Sequence, residues 1–431
     1  MNFRSTPPPI KDFARLSMPQ LTCMDIGNGL SLNYVDCGKS GANNISIMWN
    51  YGSDRIKGAK DAVFATRLMM EGTKSMTANQ IADRLDFLGT FVNQNSGTSY
   101  SNIDALSLNN FTPKVLEILK DVLLYPTFPE ERLEALKRKA ISQYDIDHSK
   151  TNFVAREELQ TMLCGPDHPY YRKSLREDIE NITVDDVRRT WREGIFGTKM
   201  DVYASGNITE QINEALCEFA HAIEDKTKET PKTAEPVKIP FSPEIPGTKV
   251  IDMPGVRQSS IAIGIPTITR NHPDYIPLRI AVVALGGYFG SRLMTNIREE
   301  KGLTYGIHAS LAGTYEGANI NIYADCDAAY VSTVLKEINF EMERMAEETM
   351  DISEFKRLRS YYMTVIASTL ESFKSIGDFY QSRLTVGIPD NYFTAQQDVL
   401  ESITPEDISK IARRYFLTQE ERIVICGTNN H

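Results

Sequence analysis

Residues 285–305 of this 431-residue chain have the sequence LGGYFGSRLMTNIREEKGLTY, which carries the most information about the fold. The adjacent glycines Gly286 and Gly287 predict a tight turn, because glycine adopts backbone conformations that other residues avoid. A helix is expected from Ser291, and a turn of this kind would let that helix pack closely on a sheet. The segment therefore predicts a contact between a helix and a sheet in the second half of the chain.

A helix start followed by a strand occurs twice in the chain. Thr404 lies 221 residues after Thr183, and Gly427, at the end of the second copy, lies 221 residues after Gly206. In each copy a threonine N-cap precedes acidic residues in the first helical turn. Any helix-to-strand unit shares these features. The two copies, however, match without a gap from the threonine to the glycine, which indicates an internal duplication.

Helices and strands alternate in both halves of the chain. Periodicity predicts a helix followed by a strand over 77–95, a strand over 317–324, and helices over 112–124, 130–144, 328–345 and 353–370. Strands joined by short turns favour antiparallel or mixed sheets over a doubly wound parallel sheet. The sequence therefore predicts an α+β fold of two homologous domains, each a mixed or antiparallel sheet covered by helices.

The stretch 224–247 separates these two halves. It is charged and rich in threonine, and it contains prolines at 231, 236, 240, 243 and 246. Such a composition is typical of an extended connector. We therefore expect an N-terminal domain over 1–223 and a C-terminal domain over 248–431.

The composition is that of a globular protein, with 41% hydrophobic and 24% charged residues and a net charge of −10. An acidic chain has no basic excess to neutralise phosphate, so neither nucleic acid nor a membrane is expected as a partner. The N-terminus, with three prolines at 7–9, lacks the apolar core of a signal peptide. The six cysteines form no metal-binding pair and suit a reducing compartment, which favours the cytoplasm, or the periplasm if a signal peptide was removed.

Residues 285–305 resemble the C-terminal-domain signature of the pitrilysin (insulinase) zinc peptidases, family M16. That signature has a glycine-rich turn, then Ser-Arg-Leu, then Arg-Glu-x-x-Gly-Leu-x-Tyr, and here it matches through Tyr305. The first half fits further family landmarks at 51–53, 71–73, 88–93, 125–129 and 168–170. The resemblance covers about residues 20–428 and implies the two-domain, half-clamshell protomer of the short-chain members.

The resemblance also implies where a zinc site would lie. Active members carry His-x-x-Glu-His on the helix before a Gly-Thr pair, and a third ligand, a glutamate, further along the chain. Alignment on Thr73 places the two histidine positions on Val63 and Arg67, the general base on Thr66, and the third ligand on Tyr144. None of these side chains can take the family role, so we expect a degenerate metal site and no cofactor in this chain.

Arg298 and Tyr305 match a pair that, in relatives, grips the substrate backbone and helps to stabilise the tetrahedral oxyanion. The alternative is that Arg298 caps a turn and Tyr305 fills a core. Gly286 and Gly287 either form a tight turn or belong to a flexible substrate-guiding loop, as in the processing peptidases. Asn93 matches an asparagine that contacts substrate in active relatives, or is a structural turn or edge residue.

We therefore expect a non-catalytic subunit that donates Arg298 and Tyr305 to a zinc-bearing M16-type partner, in a heterodimer or larger assembly. The substrate would be a peptide or an unfolded protein, and the isolated chain could form a homodimer. The alternative is an inert peptide-binding or scaffold protein of the same fold. A self-sufficient hydrolase has little support, since Asp145, Asp147 and His148 form either a weak metal site or a solvated helix face.

Overall fold

The computed structural model describes residues 14–55, 60–170, 173, 175–233, 235, 239–313 and 317–427. The proline run at 7–9 and positions 234 and 236–238 of the predicted connector lie outside these residues. The described residues form two mixed sheets covered by helices, which confirms the predicted α+β fold. Within them, no helix has the length and apolar character that crossing a membrane requires.

The first sheet has six strands: β1 Thr22–Gly27, β2 Leu30–Asp36, β3 Ala42–Trp49, β4 Phe91–Ser96, β5 Ser101–Leu108 and β6 Met200–Gly206. Their order across the sheet is β1-β2-β6-β3-β5-β4. Strands β2 and β6 are parallel, and every other neighbouring pair is antiparallel. Strand β4 is therefore an edge strand.

The second sheet has five strands: β7 Gly247–Asp252, β8 Gln258–Thr267, β9 Thr304–Gly313, β10 Ala318–Asp327 and β11 Arg422–Gly427. Their order is β7-β11-β8-β10-β9, with β7 and β11 parallel and the other pairs antiparallel. The last five strands of the first sheet have the same arrangement. Both sheets thus share one topology, to which the first adds β1 at its edge.

The described part of the chain has fourteen α-helices: α1 Asp61–Leu68, α2 Ala78–Phe87, α3 Thr112–Leu124, α4 Glu130–His148, α5 Thr151–Cys164, α6 Arg176–Glu180, α7 Val184–Trp191, α8 Glu210–Lys228, α9 Tyr275–Val282, α10 Val331–Glu347, α11 Ile352–Ser368, α12 Phe373–Thr385, α13 Tyr392–Ser402 and α14 Pro405–Tyr415. Helices α7 and α14 begin at the two threonines of the sequence repeat. Each threonine hydroxyl accepts a hydrogen bond from the backbone N–H three residues on, at 3.2 Å in both copies.

One helix from the first half packs on the second sheet. The apolar face of α5, with Leu159 and Leu163, contacts Ala262 of β8 and Val424 of β11. Glu158 of the same helix is buried and bridges to the ammonium group of Lys249 in β7. Helix α5 is therefore part of the core of the C-terminal unit although it belongs to the N-terminal sequence half.

The second half returns a helix in the same way. Ile376 and Tyr380 of α12 form a buried cluster with Val35, Met48 and Tyr203 on the first sheet. The two sequence halves therefore exchange one helix each. The domain boundaries predicted at 223 and 248 do not include this exchange. An apolar helix face does not specify which sheet the helix covers, so the exchange could not be predicted from the sequence.

The connector begins later than predicted, because α8 continues to Lys228. The ammonium group of Lys228 lies 2.9 Å from the carboxylate of Glu224 one turn earlier, which stabilises that last turn. Further along, the N–H of Ser242 donates to the carbonyl of Cys164 at 3.0 Å, and Phe241 stacks on buried His168. The second part of the connector is thus fixed to the end of α5.

Candidate functional site

A pocket of about 690 Å³ lies between α1, α4, α5 and the edge strand β4. One wall is a face of α1, where Lys60, Val63 and Arg67 follow each other at helical spacing. The opposite wall is a face of α4 that includes Tyr144, and β4 contributes exposed Asn93. Four positions that the sequence singled out for metal or substrate therefore line one pocket.

Thr66, the fourth predicted metal-site position, does not line this pocket. Its side chain is only 2% exposed, and its hydroxyl donates to the carbonyl of Ala62 in its own helix at 2.7 Å. The amide of Gln94 in β4 donates to the Thr66 carbonyl at 3.1 Å and fastens α1 to the sheet edge. Thr66 is therefore a packing residue.

The residues at the predicted zinc positions do not fit a metal ion. Val63 has no donor atom, Arg67 is a cation, and the Tyr144 ring stacks on His148 with 3.8 Å between centroids. Among the described residues, no three histidine, cysteine, aspartate or glutamate side chains are arranged to hold a metal. The side chains here therefore suit polar or ionic contacts rather than metal coordination.

The acidic residues next to this pocket are ion-paired. Asp145 lies 2.8 Å from Arg176, and Asp147 lies 2.9 Å from Lys150. The Nδ1 atom of His148 lies 2.9 Å from the Tyr144 carbonyl, so Nδ1 carries a proton. These contacts match the solvated helix face that the sequence left open as one interpretation.

Two basic residues of the pocket were missed by the sequence analysis. Lys60 stands three residues before Val63 and seven before Arg67, so its helical spacing could have revealed it. Burial, followed by repulsion from Arg67, lowers the pKa of the Lys60 ammonium group. Lys139 lines the facing wall on α4. The pocket thus carries three cationic side chains.

In the second half, Arg298 lies in the π-helical turn Met294–Glu300 and contacts Tyr305 at the start of the edge strand β9. The Nε atom of Arg298 donates to the main-chain carbonyl of Tyr305 at 2.9 Å, and its guanidinium lies 4.8 Å from the ring centre of Phe289. The Tyr305 side chain is 88% exposed, so it does not fill a core. Arg298 does fasten the turn through this bond.

The glycine pair lies beside this cluster, where the chain enters a short π-helical turn at Val283–Gly287. Gly286 is buried, and a Cβ atom there would lie 2.7 Å from Ala309 of β9, closer than a side chain tolerates. Gly286 also lines a second pocket of about 370 Å³, together with Phe289. Gly287 packs on Val283 and lies outside that lining. A substrate-binding role for the two glycines stays a prediction.

Helix α5 separates the two pockets. Asn152 and Arg156 line the 370 Å³ pocket, whereas Phe153 and Glu157 line the 690 Å³ pocket. Because α5 is the helix that the first half gives to the second sheet, the helix exchange places the two pockets on either side of one element.

Known families match both halves of the chain. Residues 51–166 match the insulinase family (peptidase family M16), and residues 181–362 match the peptidase M16 inactive domain. The chain belongs to the M16 peptidase family. Within that family, this member lacks the zinc-binding motif at the position that the alignment assigns to it.

Individual relatives are distant. An uncharacterized zinc protease from Streptomyces coelicolor is 22% identical over 366 residues, 81% of this chain and 77% of that protein. A non-peptidase homolog from Helicobacter pylori is 23% identical over 276 residues, 62% of this chain and 60% of that protein. A crystal structure of a peptidase M16 inactive domain from Pseudomonas fluorescens has a TM-score of 0.83 and 19% identity, covering 95% of this chain and 98% of that one. At that identity the structural likeness establishes the fold alone.

Proposed function

We propose that this chain is a non-catalytic M16 subunit that supplies Arg298 and Tyr305 to the active site of a zinc-bearing M16 partner. Zinc and the general base would belong to the partner, and peptides or unfolded proteins would be the substrates. Arg298 would hold a substrate carbonyl, and the Tyr305 hydroxyl would donate to the oxyanion that forms as the peptide bond is attacked.

The observation that carries this proposal is the contrast between the two residues of the pair. Arg298 is fixed by its bond to the Tyr305 carbonyl, while the Tyr305 ring is 88% exposed. An exposed tyrosine beside an oriented guanidinium is suited to a ligand or a partner surface.

A second candidate is an inert peptide-binding protein of the same fold. It is favoured by the 690 Å³ pocket, which has polar walls and in which, among the described residues, no three histidine, cysteine, aspartate or glutamate side chains are arranged to hold a metal. This alternative requires peptide binding by the isolated chain and no contribution to hydrolysis. The two candidates therefore differ in whether a complex with a zinc-bearing chain gains activity.

The test compares the purified chain with a reconstituted pair. A chain of similar length that carries His-x-x-Glu-His, encoded by a neighbouring gene, is the partner to use. We expect neither protein alone to cleave a quenched fluorescent peptide efficiently, and the mixture to show turnover that a chelator abolishes. One equivalent of zinc and chelator-sensitive turnover in this chain alone would refute the proposal, and an inert mixture that binds peptide would favour the second candidate.

A further inference from the structure

We propose that the 690 Å³ pocket binds a peptide carboxylate through Arg67, Lys60 and Lys139. This would be a separate binding site, on the opposite side of α5 from the 370 Å³ pocket. This site requires no zinc-bearing partner, so its test is independent of the test of the proposed subunit role.

Among the described residues, these three cations have no counter-charge in contact with them. Within the described part of the chain, no salt bridge or hydrogen bond joins the side chain of Lys60, Arg67 or Lys139 to another residue. Lys60 and Arg67 lie on one face of α1, and Lys139 lies on α4 across the pocket. Like charges that converge on a recess repel one another, and an anionic ligand would relieve this repulsion.

Three acids, Glu71, Asp147 and Glu157, also line the pocket, but among the described residues none of them forms a salt bridge with these cations. Glu71 lies 3.5 Å from Arg132, and Asp147 lies 2.9 Å from Lys150. Glu157 lies 3.5 Å from the Nε2 atom of His148, which pairs with it when the imidazole is protonated. Arg132 and Lys150 lie outside the pocket lining.

The partial burial of Lys60 supports the same assignment. Burial and then the nearby Arg67 lower the pKa of its ammonium group, while the carboxylates of Glu157, Asp147 and Asp178 favour the charged form. A ligand carboxylate between Lys60 and Arg67 would favour the charged form of both. A bound counter-ion would further offset the cost of burying that charge.

A carboxylate matches the donors that are present. Arg67 offers a planar fork for two oxygens, and Lys60 and Lys139 add point charges. Exposed Asn93 on β4 provides an amide at the rim, and its amide nitrogen makes only a 3.5 Å contact, to Asn95. In a peptide, the carboxylate would be either the free C-terminus or an acidic side chain.

A set of labelled peptides distinguishes these two sources. Three versions of one sequence are compared by fluorescence anisotropy: an acidic peptide with a free C-terminus, its C-terminal amide, and the free acid with glutamate replaced by glutamine. We expect at least one neutralised version to bind about tenfold more weakly than the parent. Loss on amidation assigns the C-terminus, and loss on the glutamine exchange assigns a side chain. Equal affinity of all three, or no binding of the parent, would overturn the proposal.

Variants of the chain test the residues. Arg67→Gln and Lys60→Gln should each weaken binding of the parent peptide about tenfold, and Arg67→Lys should weaken it less because it keeps the charge but loses the fork. Arg138→Gln is the matched control, since Arg138 lies on α4 outside the pocket lining. Circular dichroism and melting temperatures check folding. Wild-type affinity in both Arg67→Gln and Lys60→Gln, or an equal loss in Arg138→Gln, would contradict the assignment.

Discussion

The two halves of this chain have the same strand topology but different candidate sites. In the first half, the site is a recessed pocket whose α1 wall carries Lys60, Val63 and Arg67. In the second half, half-buried Arg298 in the turn before an edge strand contacts Tyr305 at the start of that strand, and Tyr305 is almost fully exposed. The first half lacks the family's zinc-binding sequence motif, whereas the second has residues that match the family's substrate-binding pair.

This difference shows which part of the sequence specifies the fold. The strands and helices depend on buried apolar residues such as Ile47 and Ile263, which lie in β3 and β8, strands at equivalent positions in the two sheets. Of the pocket-lining residues of α1, Phe64 belongs to that core, whereas Val63 and Arg67 do not. Valine and arginine at the positions that the alignment assigns to zinc ligands are therefore compatible with this topology, since a fold does not determine the chemistry of its site.

The largest expected effect comes from rebuilding the metal site in the first half. The triple variant Val63→His, Arg67→His, Tyr144→Glu should bind one equivalent of zinc, whereas the wild type should bind none. The two histidines would lie one helical turn apart, facing a carboxylate from α4 across the same pocket. Thr66 is left unchanged, because a glutamate at that buried position would be destabilising.

Metal analysis after dialysis measures this outcome. The double variant that keeps Tyr144 is the control, and it should hold zinc more weakly because one ligand is missing. A folded triple variant that takes up no zinc would show that these positions do not correspond to the family's metal site.

The next effect concerns the second half. In a reconstituted complex, Arg298→Ala and Tyr305→Phe should each lower kcat by about 100- to 1,000-fold, the usual result of losing one donor to an oxyanion. The melting temperature should change little in Tyr305→Phe, because that ring is exposed, and should fall slightly in Arg298→Ala, which loses the bond to the Tyr305 carbonyl. Tyr330→Phe, at another exposed tyrosine, is the matched control. Unchanged kcat in both variants would leave the pair with a structural role only.

Much of the fold, but less of the site, could be predicted from the sequence. The helix predicted over 112–124 is α3, and the repeated threonine caps begin α7 and α14. These features depend on local periodicity and capping. The basic lining of the pocket depends on how α1 and α4 face each other in the folded chain. No local sequence pattern therefore indicated that Lys139 lines the pocket. No local pattern indicated the helix exchange either.

The helix exchange itself predicts that the two halves unfold together. Leu159→Ala in α5 should lower the free energy of unfolding by about 2–5 kcal/mol, as should Leu119→Ala in α3, since both leucines are fully buried. Leu119 lies in the core of its own half, whereas Leu159 lies in the exchanged cluster. Calorimetry should show a single transition in the wild type and both variants. Two separate transitions, only one of them shifted by each substitution, would mean that the halves are independent.

The smallest effect compares two aspartates at equivalent helix starts. Asp61 begins α1 in a buried position, where burial and then repulsion from Asp186 raise the pKa of its carboxyl to about 6 from the ordinary 3.8, with partial relief from Arg189. Asp274, at the start of α9, instead lies 2.8 Å from both Arg414 and the Tyr415 hydroxyl. The first carboxylate is therefore unfavourable in the folded state, and the second is favourable.

The sign of the pH dependence follows from this contrast. Because the folded state binds the Asp61 proton more tightly than the unfolded state, Asp61 ionisation removes stability as pH rises from about 4 through about 6. At pH 7, Asp61→Asn should raise the free energy of unfolding by roughly 1–2 kcal/mol, after allowing for solvent screening, and the gain should vanish below about pH 4. Asp274→Asn should lower it by about 0.5–1 kcal/mol at pH 7, because its ion pair is partly exposed. Urea denaturation between these pH values measures the free energy of unfolding of both variants. A loss of stability in Asp61→Asn at pH 7 would show that the two helix starts are electrostatically alike.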